Sequence, residues 1–150
     1  YLSPFPDLHT LQPNIQYLQQ HKVAGVFAQG SDDTYADAAP LKTYLLAKLL
    51  WNPNIDIEQE KNSFIEGYYG NAALAVKKYF NALQDYFEKF GKRLDIYGNP
   101  VNDIKGFLQP EHIDVLSNYL DESEALAESD KKIAQHVQQL RLSLEYTVLQ

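Results

Sequence analysis

One span, Val23 to Pro53, limits what this chain can become. It opens with Val23-Ala24-Gly25-Val26-Phe27-Ala28, too short for a helix and rich in β-branched and aromatic side chains, which predicts a buried strand. Gln29-Gly30 ends that run, and a polar loop from Ser31 to Asp37 follows. Leu41 to Trp51 is apolar on nearly every face, so it predicts a helix buried on more than one side. Asn52-Pro53 stops it, because a residue before proline is pushed out of the helical region. Strand, polar loop and buried helix form the unit of an α/β protein, yet only one copy of it is present. Everything downstream reads as helix.

The flanks fill in the rest. Tyr1 to His9 carries two prolines and predicts extended chain. Leu8, Leu11, Ile15 and Leu18 fall at spacings of three and four, giving a helix over Leu11 to Lys22 with Thr10 as N-cap and Pro13 near the first turn. Asp56 caps a helix from Ile57 to Tyr69, Gln59 completes a capping box, and Gly70 supplies a left-handed stop. The longest helix runs from Asn71 to Leu94, with a heptad-like seam of Val76, Phe80, Leu83, Phe87, Phe90 and Leu94. Asp95 to Leu108 reads as an ordered connection with turns. Pro110 opens a helix to Glu128, and Ser129 or Asp130 caps a last one through Leu149. The prediction is a mostly α protein: a bundle of five or six helices with one or two short N-terminal strands. Its expected core holds Val26, Phe27, Leu45, Leu49, Trp51, Phe64, Tyr68, Phe80, Leu83, Phe87, Leu116, Leu120, Val137, Leu140 and Leu144.

A chain of 150 residues is one domain by its length. Its net charge of -7 disfavours nucleic acid and anionic membrane as partners. No run approaches the eighteen apolar residues of a membrane span, so no membrane insertion is expected. The absence of cysteine removes disulfides and thiolate metal sites. The chain starts at Tyr1 and contains no methionine, which reads as a piece of a longer protein.

Motifs that carry chemistry are few. Glycosidic hydrolysis needs two carboxyl groups roughly 5 to 9.5 Å apart. The acids nearest the predicted strand, Asp32 and Asp33, are adjacent and so make a poor pair; turn formation explains them equally well. The loop from Gln29 to Asp33 lies at the carboxyl end of a strand, where α/β proteins place ligands. His9, His21, His112 and His136 never fall at metal-ligand spacing, and no metal or cofactor is expected. There is no phosphate-binding glycine loop and no nucleophile elbow. Trp51, Tyr68 and Tyr69 could stack on a sugar ring, though their helical spacing favours core packing.

Four segments together carry a resemblance: GVFAQG (Gly25 to Gly30), LKTYLLAKLLWNPNID (Leu41 to Asp56), FIEGYYGNAA (Phe64 to Ala73) and LRLSLEY (Leu140 to Tyr146). They resemble the DUF4838 family, a domain of unknown function in bacterial, often Bacteroides-type, carbohydrate-processing proteins. The family is similar to the α-glucuronidase and hexosaminidase class of (β/α)8-barrel glycoside hydrolases. The resemblance runs from about Tyr1 to Leu149. It implies that residues 1–55 are the last helix, strand and helix of a barrel and that residues 56–150 form a helical segment packed on it. Catalytic acids of related glycosidases sit on mid-barrel strands, outside this chain, so none is carried over.

The expected function is therefore the C-terminal, non-catalytic portion of a glycoside hydrolase acting on polysaccharide fragments. It would support the barrel and line one edge of the sugar site, with Gln29, Asp32, Asp33 and Trp51 as the substrate-binding candidates. Its partners would be carbohydrate, reached through the parent protein, and the remainder of the barrel. The resemblance implies a periplasmic or cell-surface location and no activity for this chain alone. The alternative is a non-catalytic helical module for glycan or protein binding. A third reading, a free-standing enzyme, needs a carboxylate of the Ser31 to Asp37 loop joined by Asp95 or Asp103.

Overall fold

A computed structural model describes residues 2–30, 35–91, 94–95 and 100–150. The architecture is mostly α: six helices and, among the described residues, no strand. They are α1 (Leu8–Gln20), α2 (Ala39–Trp51), α3 (Ile57–Tyr69), α4 (Ala73–Phe90), α5 (Pro110–Ala127) and α6 (Lys131–Val148), with single 3-10 turns at Gly70–Ala72 and Pro100–Asn102.

Local chemistry sets most boundaries. Asp56 accepts the Gln59 backbone N–H at 2.9 Å and starts α3, and Asp130 accepts from Lys132 and Ile133 to start α6. Gly70 ends α3 at φ +47. Gly91, at φ +64, ends α4 four residues before the predicted Leu94, because its backbone N–H closes on Phe87 and turns the chain left-handed. At the other end, α1 starts at Leu8 rather than Leu11. Thr10 is therefore inside the helix, donating to the Asp7 carbonyl, and Pro13 lies in the helix interior. Asp7 flanks α1 without a side-chain cap, since its carboxylate is engaged elsewhere.

From α2 onward the chain runs up and down. Tyr44 meets Glu60 and Lys48 meets Glu60 between α2 and α3. Lys77 meets Glu66 between α3 and α4, Tyr86 meets His112 and Lys78 meets Glu122 between α4 and α5, and Arg141 meets Glu124 and Asp121 between α5 and α6. Each set fits antiparallel neighbours, as short connections require. The first pair differs. Asp7, before α1, meets Lys42 in the early part of α2. Gln12 and Gln16 then reach the carbonyls of Pro53 and Ile55 beyond the end of α2. So α1 and α2 advance in the same direction.

The core lies among α2 to α6. It joins Leu41 and Leu45 of α2, Ile65 and Tyr69 of α3, Val76, Tyr79, Phe80, Leu83 and Phe87 of α4, Leu116 and Leu120 of α5, and Val137, Leu140 and Leu144 of α6. Phe107 and Leu108, in the connection before α5, close one end. No residue of α1 is buried, and only Leu8 and Leu11 of its stripe pack on this core.

The expected core fails in one region. Val26 is exposed, and Phe27 and Trp51 are each 92% exposed. Residues 23–29 take no regular secondary structure and bend at Ala24, so the predicted strand is absent: a strand exists only through a neighbour's hydrogen bonds, and none pairs with it among the described residues. Likewise α2 buries one face through Leu41, Leu45 and Leu49 while Leu50 and Trp51 face out, so its all-round apolar character is half used. Phe64 and Tyr68 are half-buried.

Candidate functional site

The best-built polar site forms where the segment before α1 meets the segment before α2. Lys42, projecting from α2, lies 3.0 Å from Asp7 Oδ1 as an ion pair and 3.3 Å from Asp37 Oδ2. Its ammonium also donates to the Phe5 carbonyl at 2.8 Å and sits 5.5 Å from the centre of the Phe5 ring. The Phe5 backbone N–H donates to Asp37 Oδ2 at 3.0 Å. Two carboxylates from distant parts of the sequence are thereby gathered on one cation, and the chain before α1 is tied to α2.

Asp37 is the deepest member, its side chain 3% exposed. Its other oxygen, Oδ1, is buried with no hydrogen-bond partner, whereas buried carboxylates ordinarily fill their acceptor positions. Its charge reaches into the core. Burial pushes the Tyr69 and Tyr79 phenols far up, and the Asp37 carboxylate adds to both shifts. Clefts open on either side of the cluster. One, with about 690 Å³ of space, is lined by Phe5, Asp7, Leu11, Gly30, Ala36, Asp37, Lys42, Thr43 and Leu46. The other, of about 540 Å³, runs along Leu8, His9, Phe80 and Gln84. The first combines an apolar wall with an acceptor-rich polar edge, which suits a small ligand with several hydroxyls.

Of the sequence-predicted candidates, Gln29 and Trp51 fall among the described residues. Gln29 ends the exposed segment 23–29, and Gly30 beside it lines the first cleft at φ +68. Asp32 and Asp33 lie outside the described residues. Trp51 is at the far end of α2, about 18 Å from the first turn of a 13-residue helix. Of the proposed stacking tyrosines, Tyr69 is 2% exposed and belongs to the core. Tyr68 has His136 parallel to it at 3.7 Å and Phe64 at 5.0 Å, so neighbouring rings already cover it. Asp7 and Lys42 escaped sequence reasoning. Each looks like an ordinary helix-flanking charge until the topology joins them.

Histidines satisfy structural roles. The His136 ring nitrogen Nδ1 lies 2.8 Å from the Tyr68 carbonyl, and His112 Nδ1 lies 3.1 Å from that of Phe107, both fitting N–H donation. His112 also stacks on Tyr86 at 3.7 Å. Among the described residues, no group of three His, Cys, Asp or Glu side chains could hold a metal ion. None of the described helices is long and apolar enough to cross a membrane.

Comparison with known proteins adds one relation. No curated protein and no solved structure matches the chain. The family match ends before the last helices, so the LRLSLEY segment lies beyond it. Residues 1–81, more than half of the chain, match the family model described as a domain of unknown function (DUF4838), and the protein belongs to that family.

Proposed function

We propose that this chain is the C-terminal portion of a barrel glycoside hydrolase, with α1, residues 23–29 and α2 closing the barrel and α3 to α6 buttressing it. The observation that carries the reading is the parallel pair α1 and α2, with residues 23–29 between them outside any helix and exposed. A (β/α)8 barrel repeats that path: helix, strand in the opposite direction, helix parallel to the first. The exposed Phe27 and Trp51, and the second apolar face of α2, support the same reading, since barrel strands are covered on both sides.

In this reading the catalytic acids lie on barrel strands outside the chain. The substrate is a polysaccharide fragment met outside the cytoplasm. The chain itself supplies closure, support and one edge of the sugar site. Hydrolysis of a panel of aryl glycosides, by this chain and by the full-length polypeptide that carries it, tests the proposal. An active full-length protein and a silent chain are expected. Equal activity in the chain alone overturns it, and silence from both shifts the reading to a non-catalytic binding module.

A further inference from the structure

We infer that the Asp7–Lys42–Asp37 cluster is a subsite for an uncharged pyranose, contributed to the sugar site of the barrel; the inference rests on the reading above. Position is the first argument. Asp7 and Asp37 lie on the segments that lead into the N-terminal ends of α1 and α2. In a (β/α)8 barrel such segments are the loops that follow strands, and they open on the face where substrates bind.

Unused bonding capacity is the second. A clip that merely fastened Lys42 would need one carboxylate. Here there are two, and Asp37 Oδ1 is buried without a donor. An ionised carboxylate accepts only, so the vacancy calls for a hydroxyl or amide N–H. Asp37 also lines the adjoining cleft, where Phe5, Leu11 and Leu46 form an apolar wall for the C–H face of a ring.

Charge then selects the class of sugar. Two carboxylates against one ammonium leave a negative edge in a chain already at -7. A uronate or sugar phosphate would be repelled, whereas neutral hydroxyls are favoured.

The test is saturation-transfer NMR on this chain. Methyl β-glucopyranoside, methyl β-xylopyranoside and methyl N-acetyl-β-glucosaminide are the probes, and methyl β-glucuronide is the charged control. Transfer to at least one neutral glycoside and none to the glucuronide is expected. Asp37→Asn should weaken binding by about tenfold or more, the scale of one charge-assisted hydrogen bond. Thr43→Gln, at an exposed helical position lining the same cleft, should block it without touching the cluster, so the result does not depend on Asp37→Asn folding. No transfer to any neutral probe, equal transfer to the glucuronide, or transfer untouched by Thr43→Gln overturns the inference. Binding here beside an inactive full-length protein would remove the hydrolase reading and keep the subsite. An active full-length protein beside a chain that binds nothing would do the reverse.

Discussion

At the scale of single residues, two glycines three positions apart on one helix end show how context decides a substitution. A Cβ on Gly67, inside α3, would meet nothing within 4 Å. A Cβ on Gly70 would run into the Ile133 side chain, from a backbone at φ +47. Gly67→Ala is expected to raise stability by about 0.5–1 kcal/mol, and Gly70→Ala to lower it by about 2 kcal/mol, both read from urea unfolding. On the α2–α3 surface, the Tyr44 hydroxyl donates to Glu60 and, with Lys48 adding to the effect, holds that carboxyl below its ordinary value of 4.5. The ionised form therefore favours folding above 4.5, and this contribution is lost as pH falls below it. The same hydrogen bond pushes the Tyr44 phenol up from 10.0, so its contribution is present below that pH and lost as pH rises through the raised value. Tyr44→Phe should shrink both slopes in melting curves taken across pH. The caps at Asp56 and Asp130 and the stop at Gly70 were legible because each depends on neighbours within one turn. The burial of Trp51 was not legible, because it depends on what stands across from it.

At the scale of elements, the helices were readable and the strand was not. Apolar periodicity marks α3 to α6 because each seam finds a partner inside the chain. The same apolar signal at Val23 to Ala28 finds no partner strand among the described residues, so composition alone points to a strand while the segment stays unpaired there. Pro13 and Thr10 misled for a local reason: the helix begins one turn earlier, at Leu8, once Asp7 is drawn to Lys42. Phe27→Asp separates the two environments. In this chain, where Phe27 is 92% exposed, the change should move unfolding free energy by no more than about 0.5 kcal/mol. In a full-length protein whose barrel covers that position, it should cost about 2–4 kcal/mol. Equal, small effects in both would place the segment on a true surface.

At the scale of the whole molecule, stability is unevenly distributed. The core is built from α2 to α6, and α1 touches it through Leu8, Leu11 and the His9 ring beside Phe87, with no buried residue of its own. Native-state hydrogen exchange should therefore find α1 amides opening well before those of α4, α5 and α6. Uniform protection would contradict that picture. The candidate site was legible only in its neighbourhood. The sequence pointed to the Gln29 loop, but the joining of Asp7 to Asp37 needs the parallel course of two helices, which no local pattern states. Trp51, the single tryptophan, has one further consequence. With its indole 92% exposed, the chain should emit at the long wavelengths of a water-bathed ring and be readily quenched by iodide. Any surface that covers the outer face of α2 would announce itself as a blue shift. The protein carries its own optical gauge of whether that face is occupied.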